Sequence, residues 1–172
     1  MMSHWKRNAF LWSCCLALVL APAAFAQETP ARPALHIDVP VDVKPSRVVF
    51  NMDHLAFAGD QPIGLKHMQI LTQTYRERQT PLEVVAIFHS AAGYMVLNDE
   101  AYKRVRKSDI GNPYKAQIRA LQEQGVQFEE CVVTMKVNGW TNADLLPGVK
   151  VNAGANLRLI QLSQQGYVVL HP

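Results

Sequence analysis

Cys131 is the residue of this sequence whose position most favours covalent chemistry. The segment before it, residues 126–130, is predicted to be a strand, and residues 132–138 are predicted to be a short helix. The thiol is therefore expected near a helix N-terminus, where peptide N–H groups favour the nucleophilic thiolate. The adjacent carboxylates of Glu129 and Glu130 act in the opposite direction, because negative charge raises a thiol pKa. A reactive thiol and an inert buried cysteine both remain open.

His89 and the small residues that follow it are a second candidate feature. His89 closes a predicted strand, residues 82–88, and is followed by Ser90-Ala91-Ala92-Gly93. A segment of such small residues, ending in Gly93, would let backbone amides approach a ligand. The alternative is a structural histidine that is satisfied by a backbone carbonyl at the strand end.

Asn51 lies at the end of the first predicted strand and His54 follows it, and we include both as candidate pocket residues. Asp53 lies beside His54, and His67 occurs in the next predicted helix. A transition-metal site needs several correctly placed nitrogen or sulfur donors, and the sequence contains no H-x-H, C-x-x-C or H-E-x-x-H spacing. The spacing therefore predicts no metal site.

Motifs of several other enzyme classes are absent from the sequence. It contains no G-x-G-x-x-G, no Walker loop and no G-x-S-x-G elbow. Dinucleotide binding, phosphoryl transfer and α/β-hydrolase chemistry are therefore not favoured. We predict no cofactor, although a flavodoxin-like shape by itself would accommodate a flavin.

From residue 45 onward, apolar runs of strand length alternate with segments of helical spacing, which is typical of βαβ units. The predicted strands are residues 47–52, 82–88, 126–130, 149–151 and 167–170. The predicted helices are a segment built on Leu65 to Tyr75, residues 102–106, a helix from Asn112-Pro113 to Gly125, residues 132–138 and residues 152–165. The pattern predicts an α/β fold, a flavodoxin-like three-layer sandwich with a mostly parallel five-stranded sheet. Ligands bind such folds beyond the carboxyl ends of the strands, where Asn51, His89 and Cys131 lie.

The N-terminus has the pattern of a cleavable export signal. Lys6-Arg7 precedes an apolar run, residues 9–20, and Ala24-Phe25-Ala26 then supplies the small residues of a cleavage site. The run is shorter than the roughly 20 residues that a membrane-spanning helix needs. We therefore predict that residues 1–26 are a signal peptide cleaved after Ala26. The mature protein is then expected in the periplasm, with no membrane contact.

Removal of that segment changes the cysteine and charge counts. Cys14 and Cys15 leave with it, so the mature chain keeps one thiol and cannot form an intrachain disulfide. Of 17 basic residues, the loss of Lys6 and Arg7 leaves 15 against 14 acidic residues, which is nearly neutral. The one basic cluster, residues 103–107, fits a solvated helix face, and no nucleic-acid partner is predicted.

Residues 35–43 alternate strictly between apolar and polar side chains, which is the pattern of a half-buried strand. Pro40 lacks an N–H group and is excluded from a central strand. The segment is therefore predicted to be an edge strand or an arm laid on a neighbouring subunit. The domain plan has a leader with this arm at residues 27–44 and an α/β domain at residues 45–172.

Five segments together resemble the DsrE/DsrF-like family. They are V-V-F-N-M-D-H at 48–54, L-E-V-V-A-I-F-H at 82–89, L-Q-E-Q-G-V-Q-F-E-E-C at 121–131, A-D-L-L-P-G-V at 143–149 and L-I-Q-L-S-Q-Q-G-Y-V-V-L-H-P at 159–172. In the sulfur-trafficking members of that family, the cysteine after this strand carries sulfane sulfur as a persulfide and passes it to a partner. Cys131 occupies that position. The resemblance also implies a homo-oligomer, a trimer or hexamer.

Three hypotheses of function follow. The first is a periplasmic sulfur carrier or sulfurtransferase-like protein that uses Cys131, with a sulfur donor and acceptor that the sequence does not identify. The second is a non-catalytic module for small-ligand binding or assembly, in which Cys131 is a small buried apolar residue. A third idea, a redox sensor that pairs Cys131 between subunits, follows from an unpaired cysteine in an oxidising compartment.

Overall fold

The structure is a computed structural model that describes residues 34–172. The predicted signal peptide, its cleavage point after Ala26 and the start of the leader lie outside the described residues. The chain divides into two units after Pro40, and every helix and strand of the described residues belongs to the unit Val41–Pro172. None of the helices in residues 34–172 is both long and apolar enough to cross a bilayer.

Five parallel strands form the central sheet. Two further short strands lie outside this sheet. In chain order all the strands of the described residues are β1 (Ser46–Met52), β2 (Phe57–Ala58), β3 (Gln61–Pro62), β4 (Leu82–Phe88), β5 (Gln127–Cys131), β6 (Lys150–Asn152) and β7 (Val168–Leu170). The sheet order is β6-β5-β4-β1-β7, while β2 and β3 form a separate antiparallel pair. All five predicted strands are present, and their parallel pairing confirms the expected sheet. Because β1 lies between β4 and β7, the last strand of the chain forms the edge of the sheet beside the first strand.

Five helices connect these strands. They are α1 (Ile63–Glu77), α2 (Asp99–Arg106), α3 (Lys115–Glu123), α4 (Val132–Asn138) and α5 (Ala155–Gln164), with short 3-10 helices at Ser90–Val96 and Asn142–Asp144. Residues 132–138 are helical with the predicted bounds. Helix α2 begins three residues before its predicted start, because the Asn98 side chain accepts the N–H of Ala101 and caps the first turn.

Two other helices begin later than predicted, and a buried asparagine explains each case. The side chain of Asn112 donates to the carbonyls of Met95 and Leu97, which holds it outside the helix that begins at Lys115. Asn152 pairs in β6, and its Oδ1 accepts the N–H of Gly154 before α5 begins. The bonds of Asn112 and the pairing of Asn152 with Cys131 join residues that local spacing does not relate.

Side chains alternate between the two faces of the sheet, and each face has its own apolar core. Phe50 and Phe88 lie on the face that is covered by α1, α2 and α3. Val49 and Ile87 lie on the opposite face and pack with Leu162 of α5. Burial of each of these large side chains contributes about 1.5–3 kcal/mol. The three-layer α/β sandwich expected from the sequence is therefore present.

Residues 34–45 differ from the edge strand that alternation predicts. They form no strand, and the apolar side chains at positions 35, 37, 39 and 41 are exposed. Period-two alternation predicts a strand with one buried face, whereas these four apolar side chains are exposed. The other form of the prediction, an arm that a neighbouring subunit covers, stays a prediction.

Candidate functional site

The sheet order brings the ends of β4, β5 and β6 together. Phe88 pairs with Glu130, and Cys131 pairs with Asn152, so the residues just beyond these pairs share one edge of the sheet. An open cleft of about 400 Å³ lies at this edge. It is lined from three connections by His89, Ser90, Cys131, Thr134, Gly154 and Ala155.

The thiol of Cys131 lies at the base of this cleft, where the residue is only 4% exposed. Its Sγ accepts a hydrogen bond from the backbone N–H of Ala155, at 3.3 Å. Burial by itself raises the pKa of this thiol, but hydrogen-bond donors outweigh that effect and lower it from its usual value. The donors are the backbone N–H groups of Thr134, Ala155 and Val133 and the hydroxyl of Thr134.

The hydroxyl of Thr134 connects the thiol to the end of β4. Its Oγ1 accepts the backbone N–H of Ser90 at 2.9 Å, and the same hydroxyl lowers the pKa of the Cys131 thiol. Ser90 has a φ of +52°, a left-handed conformation that costs about 1 kcal/mol or more for a non-glycine residue. The hydrogen bond to Thr134 contributes to holding this strained backbone at the rim of the cleft.

The two glutamates beside Cys131 do not act on the thiol as their sequence positions suggest. Glu129 is paired with Arg158, whose Nη2 lies 2.9 Å from Oε1 and whose Nε contacts both carboxylate oxygens. Glu130 is fully buried on the other face of the sheet, and burial raises its pKa to about 9. One negative charge is therefore balanced and the other is neutralised by a proton at pH 7, so neither prevents a lowered thiol pKa.

His89 lines the cleft and is held by two neighbours. Its Nε2 lies 2.8 Å from Oδ1 of Asn51, and its Nδ1 lies 3.1 Å from Oγ of Ser90. Because Oδ1 can only accept, the network assigns the proton to Nε2 and leaves Nδ1 to accept from Ser90. Burial lowers the pKa of His89, so the ring is neutral at pH 7. Asn51 therefore reaches the site through His89 and orients it.

Gly93 does not line the cleft. It lies in the 3-10 helix Ser90–Val96, and a Cβ atom on it would come within 2.9 Å of Oε1 of Glu130 and of Cγ2 of Thr134. The nearby amides are also engaged, since the N–H groups of Ala91 and Ala92 bond to protein carbonyls. The structure therefore differs from the expected open loop, and Gly93 permits close packing behind Thr134.

His54 lies apart from the thiol cleft, in contact with two other polar residues. Its Nδ1 is 2.5 Å from Oδ1 of Asp53, and Nε2 of His171 is 2.8 Å from the same oxygen. Asp53 and His54 follow β1, and His171 follows β7, so the pairing of these strands brings the three together. Of the sequence-predicted residues, Cys131 and His89 thus share one cleft, Asn51 supports it, and His54 belongs to a neighbouring cluster.

Sequence reasoning missed the part of the cleft that follows β6. Gly154 has a φ of +142°, and the next residue, Ala155, supplies the N–H group that contacts the thiol. The signal that could have found them is the Asn152-Ala153-Gly154 turn at the end of a parallel strand. Without the sheet order, nothing in the sequence indicated that β6 lies beside β5.

The chain is similar to proteins of known fold. It resembles the protein of unknown function MTH1491 from Methanobacterium thermoautotrophicum, with 21% identity and a TM-score of 0.54 over 74% of this chain and 99% of that one. It also resembles the ychN protein from E. coli, with 16% identity and a TM-score of 0.53 over the same shares. None of the curated proteins compared with the chain matches it.

A family match adds to this likeness of fold. Residues 35–172, which include every described element, match the DsrE/DsrF-like family. The match covers well over half of the chain and includes Cys131, His89 and the whole sheet. The protein therefore belongs to the DsrE/DsrF-like family.

Proposed function

We propose that the protein is a periplasmic, sulfurtransferase-like sulfur carrier that holds sulfane sulfur as a persulfide on Cys131. The observation that carries the proposal is the hydrogen bond from the Ala155 N–H to Sγ at the base of an open cleft. A thiol with a lowered pKa has a larger thiolate fraction at neutral pH, and the thiolate is the species that attacks sulfur.

The loading step is a thiol exchange. The Cys131 thiolate attacks the sulfane sulfur of a donor such as a polysulfide or thiosulfate, and a new S–S bond forms on Sγ. The donor's own bond to that sulfur breaks, and its remaining part leaves with the electron pair, as a shorter polysulfide or as sulfite. Release is the same exchange, in which an acceptor thiolate attacks the outer sulfur and Cys131 leaves as thiolate. No external oxidant or reductant is needed.

The cleft suits a terminal persulfide sulfur. Polar groups from Ser90 and Asn156 line it beside the apolar side chains of Val133 and Leu157. The Ala155 N–H and the Thr134 hydroxyl remain close to the negative charge wherever it lies on the two sulfurs. Val133 is exposed beside the cleft, so an acceptor protein can reach the thiol over this apolar side chain.

The export pattern of residues 1–26 supports the periplasmic location. A periplasmic carrier must meet donors and acceptors outside the cytoplasm, so the partners are an exported sulfane donor and an exported thiol acceptor.

We further propose that the subunits form a homo-oligomer, in line with the trimer or hexamer that the family resemblance implies. Leu157 and Ile160 of α5 are 67% and 56% exposed. The segment 35–41 also exposes four apolar side chains: Leu35, Ile37, Val39 and Val41. A second copy of the chain is the occupant we favour, because each copy carries both apolar surfaces and can cover those of its neighbour.

The exposure of Cys131 favours a second candidate function. A thiol that is 4% exposed is also compatible with a binding module in which the cleft holds a small ligand and the cysteine is structural. Alkylation of the native protein separates the two. A carrier thiol reacts with a small reagent through the cleft, whereas a structural thiol reacts only after unfolding.

Intact mass spectrometry tests the carrier directly. The purified protein is measured before and after incubation with polysulfide or thiosulfate, with Cys131→Ser alongside and circular dichroism as a check of folding. We expect a gain of one sulfur atom that a reductant removes and that Cys131→Ser does not show. No gain in the native protein, or a gain that survives the substitution, would overturn the proposal.

A further inference from the structure

Asp53, His54 and His171 form a compact group of donor atoms at the ends of β1 and β7. Nδ1 of His54, Oδ1 of Asp53 and Nε2 of His171 all lie within 4.8 Å of one another. The two imidazole rings meet edge to face, with centroids 5.1 Å apart. All three side chains are partly exposed, so an ion from solvent can reach them.

The fold holds these residues in place from both strands. Phe50 pairs with Leu170, so Asp53 and His171 extend beyond the same end of neighbouring parallel strands. The carbonyl of Asp53 accepts the N–H of Ala91, which ties the turn after β1 to the connection after β4. After His171, Pro172 packs on α1, where a Cβ on Gly64 would lie 3.1 Å from its Cγ. Hydrogen bonding and packing therefore hold the backbone in place both after β1 and after β7.

The donor types match a particular class of ion. Two imidazole nitrogens and one carboxylate oxygen are ligands that Zn²⁺ and its neighbours accept, whereas Mg²⁺ and Ca²⁺ prefer oxygen ligands alone. Zinc sites with three protein ligands keep a further position for water or a substrate. Each imidazole now shares a hydrogen bond with Oδ1 of Asp53. An ion bound about 2.0–2.1 Å from each donor displaces the protons of these bonds and requires the three side chains to move slightly apart.

The outer ring nitrogens of His54 and His171 can carry a proton while the inner nitrogens bind an ion. A neutral histidine coordinates through one ring nitrogen and carries its proton on the other. In this group the other nitrogens are Nε2 of His54 and Nδ1 of His171, and the two side chains are 51% and 52% exposed. Water can therefore accept hydrogen bonds from the outer nitrogens while the inner nitrogens bind the ion, and the backbone need not rearrange.

We propose that Asp53, His54 and His171 form a binding site for a divalent transition-metal ion, Zn²⁺ being the best match, with at least one coordination position open. The site is separate from the thiol of Cys131 but lies at the same edge of the sheet. The connection that begins with His89 links the two, since His89 lines the thiol cleft and the N–H of Ala91 bonds to the carbonyl of Asp53.

Titration calorimetry with Zn²⁺, on protein purified without a polyhistidine tag, tests the site. We expect one Zn²⁺ per chain, and affinity at least about tenfold weaker in Asp53→Asn and in His171→Ala. His67→Ala is the matched control, because it removes an exposed imidazole from α1 and should leave binding unchanged. Near-ultraviolet circular dichroism establishes that each variant is folded.

Co²⁺ absorption identifies the ligands and separates this site from the thiol. Co²⁺ bound by nitrogen and oxygen gives only weak visible bands, whereas a thiolate ligand adds an intense charge-transfer band. We expect the weak bands alone, and their persistence in Cys131→Ser. Absence of binding in the native protein, equal affinity in the Asp53 and His171 variants, or loss of binding in Cys131→Ser would each overturn the proposal. Sulfur loading on Cys131 is measured separately, so the two proposals can fail independently.

Discussion

The backbone N–H of Ala155 donates a hydrogen bond to Sγ of Cys131 across a sequence separation of 24 residues. It joins the first turn of α5 to the end of β5, two elements that meet only because β6 lies beside β5. The protonation of the thiol therefore depends on a loop that is remote from it in sequence. This contact and its neighbours make the reactivity of Cys131 testable by conservative substitutions that keep the thiol itself.

The loop that presents the Ala155 amide depends on Gly154. Its φ of +142° is a conformation that an alanine rarely adopts, so Gly154→Ala should shift the amide and cost about 1–2 kcal/mol. We expect the thiol pKa to rise, measured as the midpoint of the pH dependence of alkylation.

Gly166→Ala is the control for that substitution. Gly166 also has a positive φ, +84°, and a Cβ there has nothing within 4 Å. It should therefore lose comparable stability without moving the alkylation midpoint. An unchanged midpoint in Gly154→Ala would show that the Ala155 hydrogen bond does not control the thiol.

The hydroxyl of Thr134 both supports Ser90 and contacts the thiol. Thr134→Val keeps the shape but leaves the Ser90 N–H without its acceptor, which should cost about 1–3 kcal/mol in urea denaturation. The thiol pKa should rise as well, because one donor to Sγ is lost. Thr74→Val in α1, where the hydroxyl bonds only its own helix, should change stability by less than that and leave alkylation unaffected.

Glu130 makes the stability of the protein depend on pH. Its folded pKa is about 9 against 4.5 for the free side chain, so the folded state keeps the proton that the unfolded state releases. Stability from this group is complete below pH 4.5 and is lost as the pH rises toward 9. Glu130→Gln, which mimics the protonated form, should remove this slope and stabilise the protein at neutral pH by on the order of 2–3 kcal/mol.

Urea denaturation at a mildly acidic and a mildly alkaline pH measures the Glu130 effect. Glu77→Gln, an exposed carboxylate in α1, serves as the control and should leave the slope in place. A native protein whose stability does not fall between the two conditions would contradict a protonated Glu130. Both oxygens of Glu130 lack a hydrogen-bond partner among the described residues, so the glutamine has no network to disturb.

Arg158 compensates the buried charge of Glu129, whose side chain is 4% exposed. Arg158→Met should cost about 3–5 kcal/mol, because it leaves a carboxylate buried without its partner. The double variant with Glu129→Met should recover much of that loss, since no charge is then left unpaired. A double-mutant cycle in urea gives the coupling, and equal stability of the single and double variants would exclude this account.

The segment 35–41 exposes four apolar side chains that we propose a second copy of the chain covers. Deletion of residues 27–44 removes the exposed apolar positions 35, 37, 39 and 41 and should lower the assembly mass in light scattering. Leu157→Lys on α5 should act in the same direction, because a charge there opposes an apolar contact. If both proteins keep the native mass, neither surface joins subunits.

Most of the fold could be predicted because its signals are local. The strand Leu82–Phe88 is a continuous apolar run, and α4 follows β5 without a gap, so periodicity and turn residues identify both. Starts of α3 and α5 could not be predicted as well, because the side chains of Asn112 and Asn152 bond to partners that only the folded chain brings near. The same holds for the candidate site: the positions of Cys131 and His89 after strands could be predicted, whereas their contacts with other parts of the chain could not.

The sequence by itself determined that Cys131 and His89 each come directly after a predicted strand, and that residues 1–26 have the pattern of an export signal. Only the tertiary structure decided the state of the thiol, because pKa values depend on charges and donors in space. Glu129 and Glu130 are adjacent to Cys131 in sequence, yet Arg158 balances one and burial protonates the other. Likewise Asp53 meets His171 across 118 residues, since β7 pairs with β1 and no local spacing encodes that pairing.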